Sequence, residues 1–176
     1  MKPMISRDQQ KNRARGAAVF FALAALAMSA GAQFRPAMEK KYAEMSEAVR
    51  KKSALWFGIH LLPEFVYLDT SGTKTARAAA IKGTKDRFNY MRNPSQRAEI
   101  LTVSRKGNIG SVIVKLHVSY QSSDADGKLH DISVSTTTAD TWMLANGRWK
   151  IAKSKEVAAT VYKLDGKEVH PSQFPR

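Results

Sequence analysis

Asp140 lies in a run where Ile132, Val134, Trp142 and Leu144 share its parity. Side chains of an extended chain alternate between two faces, so this carboxylate points with the apolar row, inward. A buried acid must be paired or have its pKa raised, and both conditions suit acid–base chemistry. The same acid can equally be structural, accepting bonds from nearby backbone or an indole. Asp69 opens Asp69-Thr70-Ser71-Gly72 at a strand end, where it reads as a turn residue bonding its own backbone. Tyr42 falls on the apolar stripe of a helix and reads as core. Trp142 and Trp149 read as core too, whereas Trp56, at the end of that helix, suits a pocket mouth.

Other chemistries find no support. The four histidines, His60, His117, His130 and His170, lack metal-ligand spacing, so no metal and no cofactor is expected. Cysteine is absent, which excludes disulfide and thiolate chemistry. There is no nucleophile elbow, phosphate loop or dinucleotide fingerprint, and Gly107-Asn108-Ile109-Gly110 is simply a hairpin.

The elements that must hold these residues follow from periodicity. Met38, Tyr42, Met45, Val49, Leu55, Trp56 and Ile59 recur at three- and four-residue steps, predicting one amphipathic helix from Pro36 to Phe57. Glu64 to Asp69 reads as a buried strand and Thr70 to Gly72 as a turn. Helix formers return from Thr75 to Met91, with Gly83 expected to break or bend them and Asn93-Pro94-Ser95 to end them.

Everything after Arg97 reads as strand, with turns at Gly107-Asn108, Asp126-Gly127, Asn146-Gly147 and Asp165-Gly166. Helices followed by a meandering antiparallel sheet predict a single α+β domain. Lys115, His117 and Ser119, opposite in parity to Val112, Val114, Leu116 and Val118, should face solvent or a partner.

The chain has 176 residues, 29 Lys and Arg against 15 Asp and Glu, and a net charge of +14. Residues 1–32 read as a cleavable secretory signal. Lys2, Arg7, Lys11, Arg13 and Arg15 precede the apolar run Ala17–Met28, and Ser29-Ala30-Gly31-Ala32 supplies the small residues before a cut at Gln33. The apolar run is too short for a spanning helix, which needs about 20 residues. The expected protein is therefore periplasmic or secreted, with the domain occupying 33–176 and no membrane span after cleavage. Its basic surface would attract anions, such as an acidic envelope component, rather than a specific nucleic acid.

The element order, the Asp69 turn, and the ending Asp140-Thr141-Trp142 with Asn146-Gly147-Arg148-Trp149-Lys150-Ile151 together resemble the nuclear transport factor 2-like superfamily. This group includes the SnoaL-like cyclases and ketosteroid isomerases. The resemblance implies N-terminal helices packed on a curved, mostly antiparallel sheet, a cone-shaped pocket for a small hydrophobic ligand, and a homodimer. It implies pocket-lining roles for Trp56, Tyr67 and Trp142. It also implies Asp69 as a base and Tyr42 as an oxyanion donor, with Asp140 a further acid. The isomerases' second acid would fall near Thr137, within Thr136-Thr137-Thr138, so that member is missing. Two readings remain: an exported ligand-binding or interaction domain, or an acid–base enzyme of isomerase, cyclase or dehydratase type.

Overall fold

A computed structural model describes residues 33–173; the segment read as a secretory signal lies outside them. Helix α1 runs over residues 33–50, starting before the expected Pro36, and buries Met38, Tyr42, Met45 and Val49 as their spacing predicts, together with Phe34. It does not continue to Phe57. Ser53 N–H donates to the Ala48 carbonyl (2.8 Å) and Lys52 N–H to that of Val49 (2.9 Å), the paired bonds of a Schellman closure. Lys52 occupies the left-handed position (φ 53°) where glycine is usual, so the stop left no glycine signal in the sequence. The chain resumes as the short helix α2 (Leu55–His60).

Strand β1 (Leu61–Leu68) includes Pro63, expected to end a turn. Register with its neighbour shifts between Leu61 and Val66, and a residue without an N–H is accommodated in such an irregularity. Strand β2 (Lys74–Ala76) replaces the expected start of the second helix, and α3 (Arg77–Tyr90) runs unbroken through Gly83. Strand β3 begins earlier than expected, at Arg92, and ends at Lys106; β4 (Ile109–Ser123) and β5 (Leu129–Ala145) follow as long hairpin partners. Strands β6 (Arg148–Glu156), β7 (Val161–Leu164) and β8 (Lys167–Glu168) complete an eight-stranded sheet in which six strands run in the order β2-β1-β6-β5-β4-β3, while β7 branches off β5 and β8 pairs with β7. Its one departure from antiparallel pairing among these contacts is β1 beside β6.

β5 organises the molecule. Its C-terminal half pairs with β6 and its N-terminal part, Ile132 to Ser135, pairs with β7. The chain leaves the sheet after β6 and rejoins it as β7, which opens a curved sheet instead of closing a flat one. The helices pack on one face of it. Phe34, Met38, Tyr42 and Met45 meet Val112, Val114, Trp142 and Ile151 in the main core. Burying each such side chain contributes about 1.5–3 kcal/mol. A second cluster, Val49, Phe88 and Met91, ties α3 to α1, with Val118 and Tyr120 packed against it.

Candidate functional site

Three of the residues singled out in the sequence meet in the core. Tyr42 of α1 donates to Asp140 Oδ2 of β5 (2.6 Å), Ser154 of β6 donates to Oδ1 (2.6 Å), and Trp142 Nε1 donates to the Tyr42 hydroxyl (3.2 Å). The β5–β6 register that pairs Asp140 with Ser154 places that hydroxyl, and the two rings meet edge-on at 5.6 Å. Burial pushes the Asp140 carboxyl up, against the lowering effect of the Ser154 and Tyr42 hydroxyls. Burial, then the Asp140 charge, pushes the Tyr42 phenol up. Tyr42 is 1% exposed, Asp140 5% and Trp142 0%, so the network is shut off from solvent. Tyr42 also borders a groove of about 430 Å³ between α1 and β3.

The remaining residues lie elsewhere. Asp69 Oδ1 accepts from the backbone N–H of Ser71 and of Thr73 (2.9 Å each) and from the Ser71 hydroxyl (2.6 Å). Those bonds, the Ser71 hydroxyl first, hold its carboxyl below the usual range, and no hydrogen bond joins it to Tyr42 or Asp140. Trp56 is buried and stacked on His60, ring centroids 4.4 Å apart. That imidazole donates from Nδ1 to the Trp56 carbonyl (2.9 Å) and accepts at Nε2 from Lys41 (3.1 Å).

Tyr67 leads to a group the sequence did not flag. Its hydroxyl bonds to Glu156, at the end of β6. The same carboxylate accepts from Thr160 (3.2 Å) and from the Thr70 backbone N–H (3.3 Å), and Thr160 is linked to Thr136 at 3.0 Å. Burial and then the Glu156 bond push the Tyr67 phenol up. Parallel pairing of Tyr67 with Ser154, and antiparallel pairing of Thr138 with Glu156 on the other side, bring the pair to the same sheet face as Asp140. Val134 pairs with Tyr162, which adds a third phenol to this face.

Tyr120 of β4 and Tyr90 of α3 complete the surround, their rings 6.3 Å apart. Burial pushes the Tyr120 phenol up to about 12, with further contributions from Tyr90 and Tyr162, and Arg87 of α3 opposes each rise. The result is a rim of three half-buried phenols, Tyr67, Tyr120 and Tyr162, with the Glu156 carboxylate held among them and Tyr90 and the Arg87 guanidinium exposed beside it. The phenol rings offer apolar contact, and the Glu156 carboxylate and Arg87 guanidinium offer hydrogen-bond partners beside them. Parity counted from Ile151 would place Glu156 on the wrong face, because a register shift between Thr141 and Trp142 breaks the period of two along β6. Among the described residues no group of three or more His, Asp or Glu is placed to hold a metal.

No protein-family model and no curated protein matches the sequence. Solved structures do match. A conserved protein from Planctomyces limnophilus superposes with a TM-score of 0.65 at 11% identity, over 74% of this chain and 98% of its own. A nuclear transport factor 2-like superfamily protein from Salmonella enterica does so at 0.55 and 10%, over 78% and 94%. The fold is that of the nuclear transport factor 2-like superfamily. A type 2 hexachlorocyclohexane dehydrochlorinase shares it at a TM-score of 0.60 and 11% identity, over 81% of this chain and 96% of that enzyme. The nuclear transport factor 2-like fold thus accounts for the N-terminal helices on an open, curved sheet, and it occurs in an enzyme as well as in proteins described by fold alone.

Proposed function

We propose that this chain is an exported small-molecule-binding domain, taking a mainly apolar ligand with a hydroxyl or amine group at the rim around Tyr67, Tyr120 and Tyr162. The observation that carries this reading is the half-buried Tyr67–Glu156 bond. A carboxylate already holding three donors stays in place as a polar anchor beside phenolic walls. Binding is favoured over acid–base catalysis because Tyr42 and Asp140 are enclosed by packed side chains, where neither can touch a substrate without opening the core.

Native mass spectrometry on protein recovered from an exporting cell tests the first part. A chain beginning at Gln33 supports export, and retention of residues 1–32 counts against it. Titration of the mature domain with 2-naphthol, followed by NMR, then tests the rim. Resonances of Tyr67, Tyr120 and Tyr162 should shift together, and Glu156→Gln should weaken binding about fivefold or more. Shifts confined to other regions, or a Glu156→Gln variant that binds equally well, would overturn the assignment.

A further inference from the structure

The opposite face of the sheet carries a second concentration of chemistry. The residues between Asp140 and Ile132 that alternate with the inward row are Ser133, Ser135, Thr137 and Ala139. Pairing aligns them with β4 and β3 in rungs: Ser133 with Ser119 and Ser95, Ser135 with His117 and Arg97, Thr137 with Lys115 and Glu99. Neighbouring strands lie about 4.8 Å apart, so the rungs form a grid of hydroxyl and cationic groups. On its far side Lys163 of β7 pairs with Ser133.

This grid is the floor of a hollow of about 700 Å³. Its wall is the stretch between β6 and β7, with Ala158 and Ala159, and the first residue of β7, Val161. The hollow exists because β5 exchanges one neighbour for another, leaving the intervening chain raised at the edge. Arg97, Lys115 and Lys163 border it from three different strands, and among the described residues none of the three has a carboxylate within 4.0 Å. Elsewhere several of the chain's cations are tied, Lys41 to Glu44, Arg50 and Lys51 to Glu47, and Lys82 to Asp86. Two acids neighbour the hollow in register, Glu99 across from Lys115 and Glu168 across from Lys163. Glu99 approaches His117 Nε2 at 4.0 Å, and His117 Nδ1 meets the Ser135 hydroxyl at 2.9 Å.

Unpaired cations set around hydroxyls that can both donate and accept form a receptor for an oxyanion on a polyhydroxyl body. We infer that the hollow bounded by Arg97, Lys115 and Lys163 binds a sulfated or phosphorylated sugar chain. Hydroxyls such as Ser119 and Ser133 meet the sugar, and the three cations hold its oxyanion groups. Among the described residues no Phe, Tyr or Trp lines this hollow, and its one aromatic ring is the His117 imidazole, which separates it from the phenolic rim in ligand chemistry as well as in place. The inference is independent of the rim reading.

The test is calorimetric titration of the mature domain with a heparin tetrasaccharide, a sugar-phosphate oligomer, neutral maltotetraose and inorganic phosphate. One or both anionic oligomers should bind, more weakly as salt rises, while maltotetraose should not. The two oligomers decide between sulfate and phosphate. Lys115→Gln with Lys163→Gln should weaken binding about tenfold, with the thermal midpoint unchanged. The same loss from Lys40→Gln with Lys85→Gln, on the helices, would make net charge the cause and overturn the site. Inorganic phosphate binding as tightly as the oligomers would overturn the sugar assignment. So would capture by phosphatidylglycerol vesicles alone, or a dimer that covers this face and binds none of the four.

Discussion

The Tyr42 hydroxyl stands 2.6 Å from Asp140 Oδ2, joining α1 to β5 across 98 residues of sequence. Because Tyr42 also accepts from Trp142 and Asp140 also accepts from Ser154, one tyrosine connects a helix to two neighbouring strands. In a site this dry each of those polar groups would be costly without its partner.

Removing that hydroxyl should therefore destabilise the domain. Tyr42→Phe preserves the ring packing but leaves the Trp142 indole and one Asp140 oxygen short of a partner. The expected loss is about 1–3 kcal/mol in urea unfolding followed by tryptophan fluorescence. Asp140→Ala strands two hydroxyls and opens a void, so its loss should be larger. A Tyr42→Phe variant as stable as the parent would mean that the network adds nothing to the packing around it.

His130 clips two loops together. Its Nδ1 lies 2.8 Å from Asp165 and its Nε2 3.0 Å from Asp124, with only 13% of the side chain exposed. Bonds to Asp165 and then Asp124 raise the imidazole pKa, and the His130 bond is the main cause lowering both carboxyls. The histidine contribution is complete below about pH 6.5, its unfolded value, and disappears as pH rises through the raised folded value. The aspartate contributions are present above about pH 4 and vanish as pH falls through their depressed values. Thermal midpoints of the parent and His130→Asn should accordingly differ most between about pH 4.5 and 6.5 and converge in alkali. A difference that persists undiminished into alkali would contradict the charged clip.

Gly110 is required by the seating of α1. A β-carbon there would lie 2.1 Å from Phe34 Cζ, and Phe34 is 1% exposed, with Trp149 4.8 Å away between ring centroids. The ring cannot move without disturbing Trp149, over which Arg105 also lies at 5.1 Å. Gly110→Ala should cost about 1–3 kcal/mol and alter Trp149 emission. Unchanged stability and unchanged emission together would show that the helix terminus shifts freely.

Lys52 offers the reverse experiment. Its left-handed conformation (φ 53°) carries a penalty that glycine avoids, partly offset by glycine's greater freedom when unfolded. Lys52→Gly should raise stability by about 0.5–1 kcal/mol in a denaturant titration. A loss would indicate that the lysine side chain makes a contribution beyond ending the helix.

The local rules worked where one element decides the outcome. Asp140 faces inward because alternation on β5 leaves it no other face, and Tyr42 is buried because its neighbours at helical spacing are. They failed where a bond between distant segments decides. The α1 stop depends on two backbone bonds around Lys52, and Glu156 reaches Tyr67 only after a register shift has broken the period of β6.

From the sequence alone come the α+β class, the hairpin turns at Gly107-Asn108, Asp126-Gly127, Asn146-Gly147 and Asp165-Gly166, and the sidedness of β4 and β5, since these follow from side-chain type and the fixed period of a strand; Asn93-Pro94-Ser95, expected to end the second helix, lies instead within β3. Tertiary structure alone decides that Tyr42 and Asp140 meet, that Asp69 is confined to its own turn, and that Lys115 and Lys163 border one hollow. Those relationships depend on which strands become neighbours. Pairing of β5 with β6 at one end and β7 at the other is a choice of global packing that no local period encodes.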